Sequence, residues 1–444
     1  MNYDFAIIGF GKAGKTLAIK MANIGKKVAL IEKSKNMYGG TCINIGCIPT
    51  KKLLNLSKEA RFYEDKKEYF KSAMKQKNEL ITTLRAKNYA MLNDNKNIDI
   101  IDGVANFLDE NHINIAQDNG KNITISANKF IINTGSYDKI PSIKIDSNQV
   151  YTSKEILDIE NLPDHLVVIG SGFIGLEFAS MFANFGSKVS ILIRKDEFLP
   201  NEDEDVKNSV KNELEAQGIE ILLEAKPLSI NNDTIIYKSK DSEISLKADA
   251  FLLATGRVAN TKSLNLESAN VKLNSDESIV VNEFLQTTNP NIYAVGDAKG
   301  GEFFTYISLD DYRIIFSHLF GDKKRTTNNR PIHANVLFTN TPLAKIGLKE
   351  KDVLDNDSIN ILKLPLANIP NAKILGKESG FLKAIVDTKN KKILGATFHC
   401  IDAHELINEI ALIMQLDADI SIFKNQIFTH PSISEALNDL FANA

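Results

Sequence analysis

Apolar and polar positions along the chain fall into two matching segments. YDFAIIGFGKAGKTLAIKMANIGKKVALIEK at residues 3–33 opens with a short apolar run and turns through glycines. It continues with apolar positions three and four apart and closes on a run rich in β-branched residues. HLVVIGSGFIGLEFASMFANFGSKVSILIRK at residues 165–195 does the same. That order predicts strand, glycine turn, amphipathic helix and second strand, a βαβ unit in each case. Residues 53–95, with mixed charges and few breakers, predict helix. Residues 98–135 predict short strands ending in KFIINTGS, and residues 219–257 repeat this arrangement and end in DAFLLATGR. From about residue 331 the pattern changes. Strands are expected at 333–338, 359–364, 381–386 and 393–399, then helices at 403–416 and 432–442. The fold class is α/β, with two nucleotide-binding units and a separate C-terminal α+β domain.

Length and charge narrow this picture. At about 150 residues per domain, a chain of 444 residues makes roughly three domains. The net charge of -3, with lysines scattered along the chain, offers no basic face for nucleic acid. The first residues do not read as a signal peptide, because the apolar run is short, carries Asp4 and passes straight into glycines. No apolar stretch approaches the length of a membrane span, so a cytoplasmic enzyme is expected. The three cysteines, Cys42, Cys47 and Cys400, are no disulfide scaffold. In a reducing compartment a close pair is more often catalytic or metal-binding than structural.

In the first unit Gly9 permits a tight turn, Gly11 lets a pyrophosphate approach the backbone, and Gly14 lets helix and strand pack closely. The helix that follows presents its positive N-terminal end to phosphates. Glu32 closes the second strand, placed to accept hydrogen bonds from ribose hydroxyls. The plainer alternative is a glycine turn with a surface glutamate, but two such units in strand–turn–helix context favour nucleotide binding. In the second unit Gly170, Gly172 and Gly175 take the same positions. There the expected acid is replaced by Arg194 and Lys195. A basic pair suits the 2′-phosphate of NADPH, the expected donor, whereas Gly175 is more typical of NAD-type motifs and keeps NADH as the alternative.

The segment GGTCINIGCIPTKK at residues 39–52 carries the chemistry. The spacing of Cys42 and Cys47 can close a disulfide across the first turn of a helix, and Pro49 suits an early helix position. A thiol at a helix N-terminus is stabilised as thiolate. Two alternatives compete: buried free cysteines, and half of a zinc site, for which no second cysteine pair exists.

This segment resembles the active site of the class I pyridine nucleotide–disulfide oxidoreductases, which include glutathione reductase, dihydrolipoamide dehydrogenase and mercuric reductase. The resemblance covers nearly the whole chain: both glycine motifs, the cysteine segment, ATGR at 254–257, AVGDA at 294–298 and THPSISE at 429–435. It implies a glutathione-reductase-like fold with two Rossmann-like domains. FAD would be bound by residues 1–147 and 259–330, NAD(P)H by residues 148–258, and residues 331–444 would form a dimerisation domain. FAD would be held by Gly9, Gly11, Gly14, Glu32, Gly40, Thr41, Thr134, Gly135, Gly296 and Asp297. NAD(P)H would be held by Gly170, Gly172, Gly175, Arg194, Lys195, Gly256 and Arg257. The resemblance also implies that Cys47 lies against the flavin and Cys42 meets the substrate. Lys51 would pair with Glu177 beside the flavin N5. His430, oriented by Glu435, would serve as acid–base from the other subunit of a homodimer. No metal is expected.

IGFGKAGKTLA (8–18), MYGGTCINIGCIPTK (37–51), TYISLDDYRI (305–314) and QIFTHPSISEALNDLF (426–441) are most similar to the bacterial reactive-chlorine resistance flavoproteins. Members of that subfamily reduce hypothiocyanous acid, and copper(II) reduction is also associated with them. Mercuric reductase would carry a C-terminal cysteine pair, where this chain ends LFANA. Dihydrolipoamide dehydrogenase would carry an acid where Arg194 stands, and glutathione reductase fits the 305–314 and C-terminal segments less well. A flavin redox sensor without turnover is the reading from another class, and the His430–Glu435 dyad argues against it, since a sensor needs no proton shuttle. In FHCIDAHE (398–405), Cys400 reads as a buried core residue, because His399 and Cys400 on a strand face opposite ways and cannot readily share a metal with His404.

Overall fold

The computed structural model describes residues 1–353 and 358–442. The first sheet is centred on the strand Asn2–Ile8, which pairs in parallel with Val28–Glu32 on one side and Asn122–Ile132 on the other. Phe5 to Ile8 are buried without alternation, as parallel strands covered on both faces require. The helix Lys12–Asn23 covers one face through Ala13, Leu17, Ala18 and Met21. Ile292–Ala294 returns across much of the chain to pair with Phe130–Ile132. The second sheet repeats the plan with five parallel strands, in the order Ile219–Leu222, Lys188–Leu192, His165–Ile169, Ala250–Leu253 and Val150–Thr152. Ser136–Asp138 and Arg257–Ala259 pair as a two-stranded antiparallel ribbon, so the two chain crossings between these sheets lie side by side. The third sheet is antiparallel, in the order Asn335–Leu337, Leu343–Gly347, Lys392–His399, Phe381–Asp387 and Ile359–Pro365.

Three expectations change in detail. Residues 53–95 are not one helix. Cys47–Glu59 ends in a tight turn at Ala60–Phe62, and Lys66–Asn93 starts afresh, capped by Asp65, whose carboxylate accepts from Glu68 N at 2.9 Å. The strand Leu343–Gly347 lies in a segment for which no element was expected. The last helix begins at Ala436 rather than 432; in the turn before it Ser432 N donates to Glu435 Oε1 at 3.2 Å and Glu435 N to Ser432 Oγ at 3.1 Å.

The helix Cys47–Glu59 shares a core with the second βαβ unit. Leu53, Leu54 and Leu56 pack in one cluster with Leu176, Phe178 and Phe182 of the helix Phe173–Phe185. The redox segment is thus fixed to the second domain by burial worth about 2 kcal/mol per large side chain. Among the described residues no helix is long and apolar enough to cross a membrane.

Candidate active site

The first glycine turn is built without slack. Gly9 has φ +106°, and a Cβ there would lie 2.3 Å from the carbonyl oxygen of Asn133. A Cβ on Gly11 would meet Asn133 Nδ2 at 2.6 Å, and one on Gly40 would meet the Cα of Gly11 at the same distance. The Asn133 amide donates to Gly9 O at 3.2 Å and so sits inside the turn. Glu32 is buried and accepts from Phe10 N at 3.0 Å and Ser34 N at 3.2 Å; burial pushes its carboxyl up. Lys15 is buried against Asn88, and burial brings its ammonium down to about 8. Gly296 N donates to the fully buried Asp311 at 2.8 Å, and Asp297 accepts from Ser136 Oγ at 2.5 Å. Among the described residues Thr134 Oγ1 is buried with no protein partner. A buried carboxylate at Glu32, an orphaned hydroxyl at Thr134, and the close Gly11 and Gly40 backbones fit a dinucleotide such as FAD.

The second turn has the same frame. Gly170 has φ +114°, and its Cβ would lie 2.4 Å from Ala254 O; that of Gly175 would lie 2.2 Å from Gly170 O. A Cβ on Gly172, however, would meet nothing within 4 Å, and Arg194 and Lys195 stand exposed just beyond the strand Lys188–Leu192. Gly256 also borders open space. Arg257, expected at the NAD(P)H site, directs its guanidinium to Ser136 Oγ and Ser136 O, each at 2.8 Å, and to Asp138 at 2.9 Å. The structure therefore places Arg257 as a tie between the two crossing strands, where a nearby carboxylate balances its charge.

The cysteines stand on two helices rather than one. Cys42 lies in the four-residue helix Thr41–Asn44, and Cys47 opens the helix Cys47–Glu59. Asn44 closes the short helix by donating to Tyr38 O at 3.0 Å and Gly40 O at 2.9 Å. Both cysteines are free thiols; Cys42 is half-buried, and Cys47 keeps an accessible face although protein crowds its other sides. The hydrogen bond from Cys42 lowers the Cys47 thiol to about 6. Burial opposes this, while Thr305 Oγ1 at 3.5 Å, Lys51 and the N–H of Cys47 itself assist. The same bond, with burial, drives the Cys42 thiol well above its usual range. Both directions favour thiolate character on Cys47 over Cys42.

Lys51 Nζ meets Glu177 Oε2 at 2.6 Å. Burial pushes the Glu177 carboxyl up while Lys51 pulls it back. Phe338 N donates to the other carboxylate oxygen at 3.1 Å, and the Phe338 ring lies 4.9 Å from Lys51 Nζ. His430 Nδ1 meets Glu435 Oε2 at 2.7 Å, which holds the Glu435 carboxyl below its usual range. His430 is exposed in the C-terminal domain, and among the described residues it bonds neither cysteine. Cys400 is fully buried in the third sheet's core with Phe398 and Leu406, while His399 bonds Ser209 and Glu213. Asn133, Thr305, Asp311 and Phe338 were not anticipated. Asn133 left a trace in the sequence, where FIINTG of the first half stands against FLLATG of the second, and Thr305 and Asp311 lie in the TYISLDDYRI segment, where the sequence assigned them no role.

Residues 3–310 match the pyridine nucleotide-disulphide oxidoreductase family, and residues 333–441 match that family's dimerisation domain. The chain is 44% identical to the probable pyridine nucleotide-disulfide oxidoreductase RclA of Escherichia coli, covering 99% of each chain. A mercuric reductase of Lysinibacillus sphaericus is 31% identical over 98% of this chain and 81% of its own length. The solved structure of the HOCl-induced flavoprotein disulfide reductase RclA from E. coli superposes with a TM-score of 0.93 at 44% identity, covering 99% of this chain and 100% of that one. Its Cu(II) complex superposes with a TM-score of 0.95 at 43% identity, covering 100% and 99%. Glycine turns, cysteine pair and C-terminal domain agree with these likenesses, and the chain belongs to the pyridine nucleotide–disulfide oxidoreductases, enzymes built to work with a flavin and a pyridine nucleotide.

Proposed function

We propose that the protein is an FAD-dependent NAD(P)H oxidoreductase whose Cys42–Cys47 pair reduces an electrophilic oxidant, hypothiocyanous acid, to thiocyanate in oxidative-stress defence. The observation that carries this reading is the pair of free thiols Cys42 and Cys47, with Thr305 Oγ1 3.5 Å from Cys47 Sγ and Cys47 one helical turn before Lys51, which is ion-paired to Glu177 at 2.6 Å. Bound FAD supplies the hydride relay between nicotinamide and disulfide. Arg194 and Lys195 favour NADPH as donor. The chain acts as a homodimer, and a reducing cytoplasm suits free thiols of this kind.

In the reduced enzyme Cys42 needs a base, because its bond to Cys47 retains the proton. His430 of the partner subunit takes that proton, and the Cys42 thiolate attacks the sulfur of hypothiocyanous acid. A sulfur–sulfur bond forms, the sulfur–oxygen bond breaks, and the departing hydroxide recovers the proton as water. Cys47 then attacks the Cys42 sulfur, forms the disulfide and releases thiocyanate. Two thiols lose two electrons and the oxidant gains them.

The Cu(II) complex of the E. coli relative supports a second reading, copper(II) as acceptor, since soft thiolates suit copper. Steady-state NADPH and NADH oxidation by the purified yellow protein separates the two. Hypothiocyanous acid is expected to give the highest kcat/KM, with NADPH ahead of NADH. Faster turnover with copper(II) would move the assignment to the metal. No turnover with hypothiocyanous acid, disulfides, copper(II) or mercury(II) would refute the enzyme reading.

A further inference from the structure

The segment Phe338–Thr341 is bonded at every residue. Phe338 N donates to Glu177, Thr341 N donates to Glu213 at 2.9 Å, and Thr339 Oγ1 donates to Thr341 O at 2.8 Å with Glu213 Oε2 at 3.3 Å. Asn340 exchanges amide bonds with Asn184 at 2.7 and 3.0 Å and accepts from Lys58 at 3.0 Å. This strap therefore joins the Lys51–Glu177 pair at one end to Glu213, on the helix Glu204–Ala216, at the other.

Glu213 is in turn held by His399. His399 is buried at the end of the strand Lys392–His399 and donates from Nε2 to Glu213 Oε2 at 2.8 Å, while its Nδ1 meets Ser209 Oγ at 2.7 Å. His404, five residues on, lies directly against the strap, with its ring centroid 5.4 Å from that of Phe338. Both histidines of the FHCIDAHE segment thus converge on Phe338–Thr341 by different routes.

We propose that His399 is a positioning residue for the flavin-side ion pair. Acting through Glu213 and the strap, it fixes Phe338, whose N–H orients the Glu177 carboxylate and whose ring borders the Lys51 ammonium; His404 supports Phe338 from the same segment. This rests on the reading that Lys51 and Glu177 stand where the hydride reaches the flavin. A carboxylate held by one lysine and one backbone N–H loses its orientation when the N–H moves, and small misplacements at a reacting centre slow chemistry strongly.

The interface supplies its own control. Lys383, also buried, bonds Asp203 at 2.8 Å, Asp205 at 2.7 Å and Glu350 at 3.2 Å, clamping the start of the same helix to the same sheet without touching the strap. Stopped-flow flavin reduction by saturating NADPH, expressed per bound FAD, tests the proposal. His399→Leu is expected to slow it on the order of tenfold with the KM for NADPH unchanged. His399→Gln, which restores a donor toward Glu213, should recover most of the rate, and His404→Ala should slow it severalfold. Lys383→Met should lower thermal stability and leave the rate unchanged, with the more exposed Lys363→Met taking its place if that variant does not fold. Equal rates for His399→Leu and the lysine control would overturn the positioning role. If His399→Leu does not fold, a wild-type rate in His404→Ala does the same. A wild-type rate in Lys51→Met would instead remove the reading of the ion pair on which the proposal stands.

Discussion

The two glycine turns share a frame and differ in what surrounds it. Gly9 and Gly170 both have positive φ and both press on the carbonyl that ends a neighbouring strand, Asn133 in the first unit and Ala254 in the second. Around the first turn the neighbours are inward polar groups: the Asn133 amide, Glu32, and Lys15 with Asn88. Around the second the middle glycine borders open space and the two cations stand exposed. Glu32 and Lys15 are buried at a cost that Phe10 N, Ser34 N and Asn88 offset within the chain, a closed polar setting that would suit a cofactor that stays. The open, charged second site suits a coenzyme that arrives, reacts and leaves. On the proposed reading, one βαβ pattern would serve as a resident site or an exchange site according to a few flanking side chains.

The largest expected effect lies where the two regions deliver their electrons. Cys42→Ser should cut acceptor turnover on the order of a thousandfold or more while NADPH still bleaches the flavin. Loss of flavin reduction as well would show that Cys42 belongs to the cofactor side.

Next comes the contrast between the turns themselves. Gly9→Ala combines left-handed strain with a clash against backbone and should cost about 4 kcal/mol, releasing FAD; thermal melts and bound-flavin absorbance report both. Gly172→Ala should leave the melting temperature and flavin content intact and raise only the KM for the coenzyme. Equal flavin loss in both variants would break the distinction between resident and exchange sites.

Arg194→Ala should raise the KM for NADPH roughly tenfold and leave that for NADH unchanged, the size of one charge-assisted hydrogen bond. An equal change for both coenzymes would mean that Arg194 does not read the 2′-phosphate. The smallest effect is in pH. The Cys47 thiol is depressed from its model-peptide value to about 6, so its thiolate persists above that pH and is lost as pH falls through it. Alkylation of reduced enzyme by iodoacetamide should follow this, with Cys47 reactive at pH 7 and protected near pH 5. A midpoint near 9 would show that the bond from Cys42 does not hold in solution.

Local pattern determined a good deal. The two βαβ units, the three glycine positions in each, the cysteine segment and the C-terminal change of character all rest on short-range periodicity and turn chemistry, which a strand or helix carries in its own residues. Helix limits were less legible. The break at Ala60–Phe62 and the late start at Ala436 depend on caps and side-chain bonds that the apolar pattern does not encode.

Tertiary structure alone decided the rest, because the deciding contacts join residues far apart in the chain. Arg257 sits in a motif of the second unit, yet the antiparallel ribbon sets it beside Asp138. Which cysteine keeps the proton depends on Thr305 and Lys51 as well as the pair itself. The FHCIDAHE segment read as plain core; only folding brings His399 to Glu213 and His404 to Phe338. A sequence specifies which groups are available within a turn of helix or a length of strand, whereas a charge or a hydrogen bond is settled by whatever the packed sheets bring within about 3 Å of it.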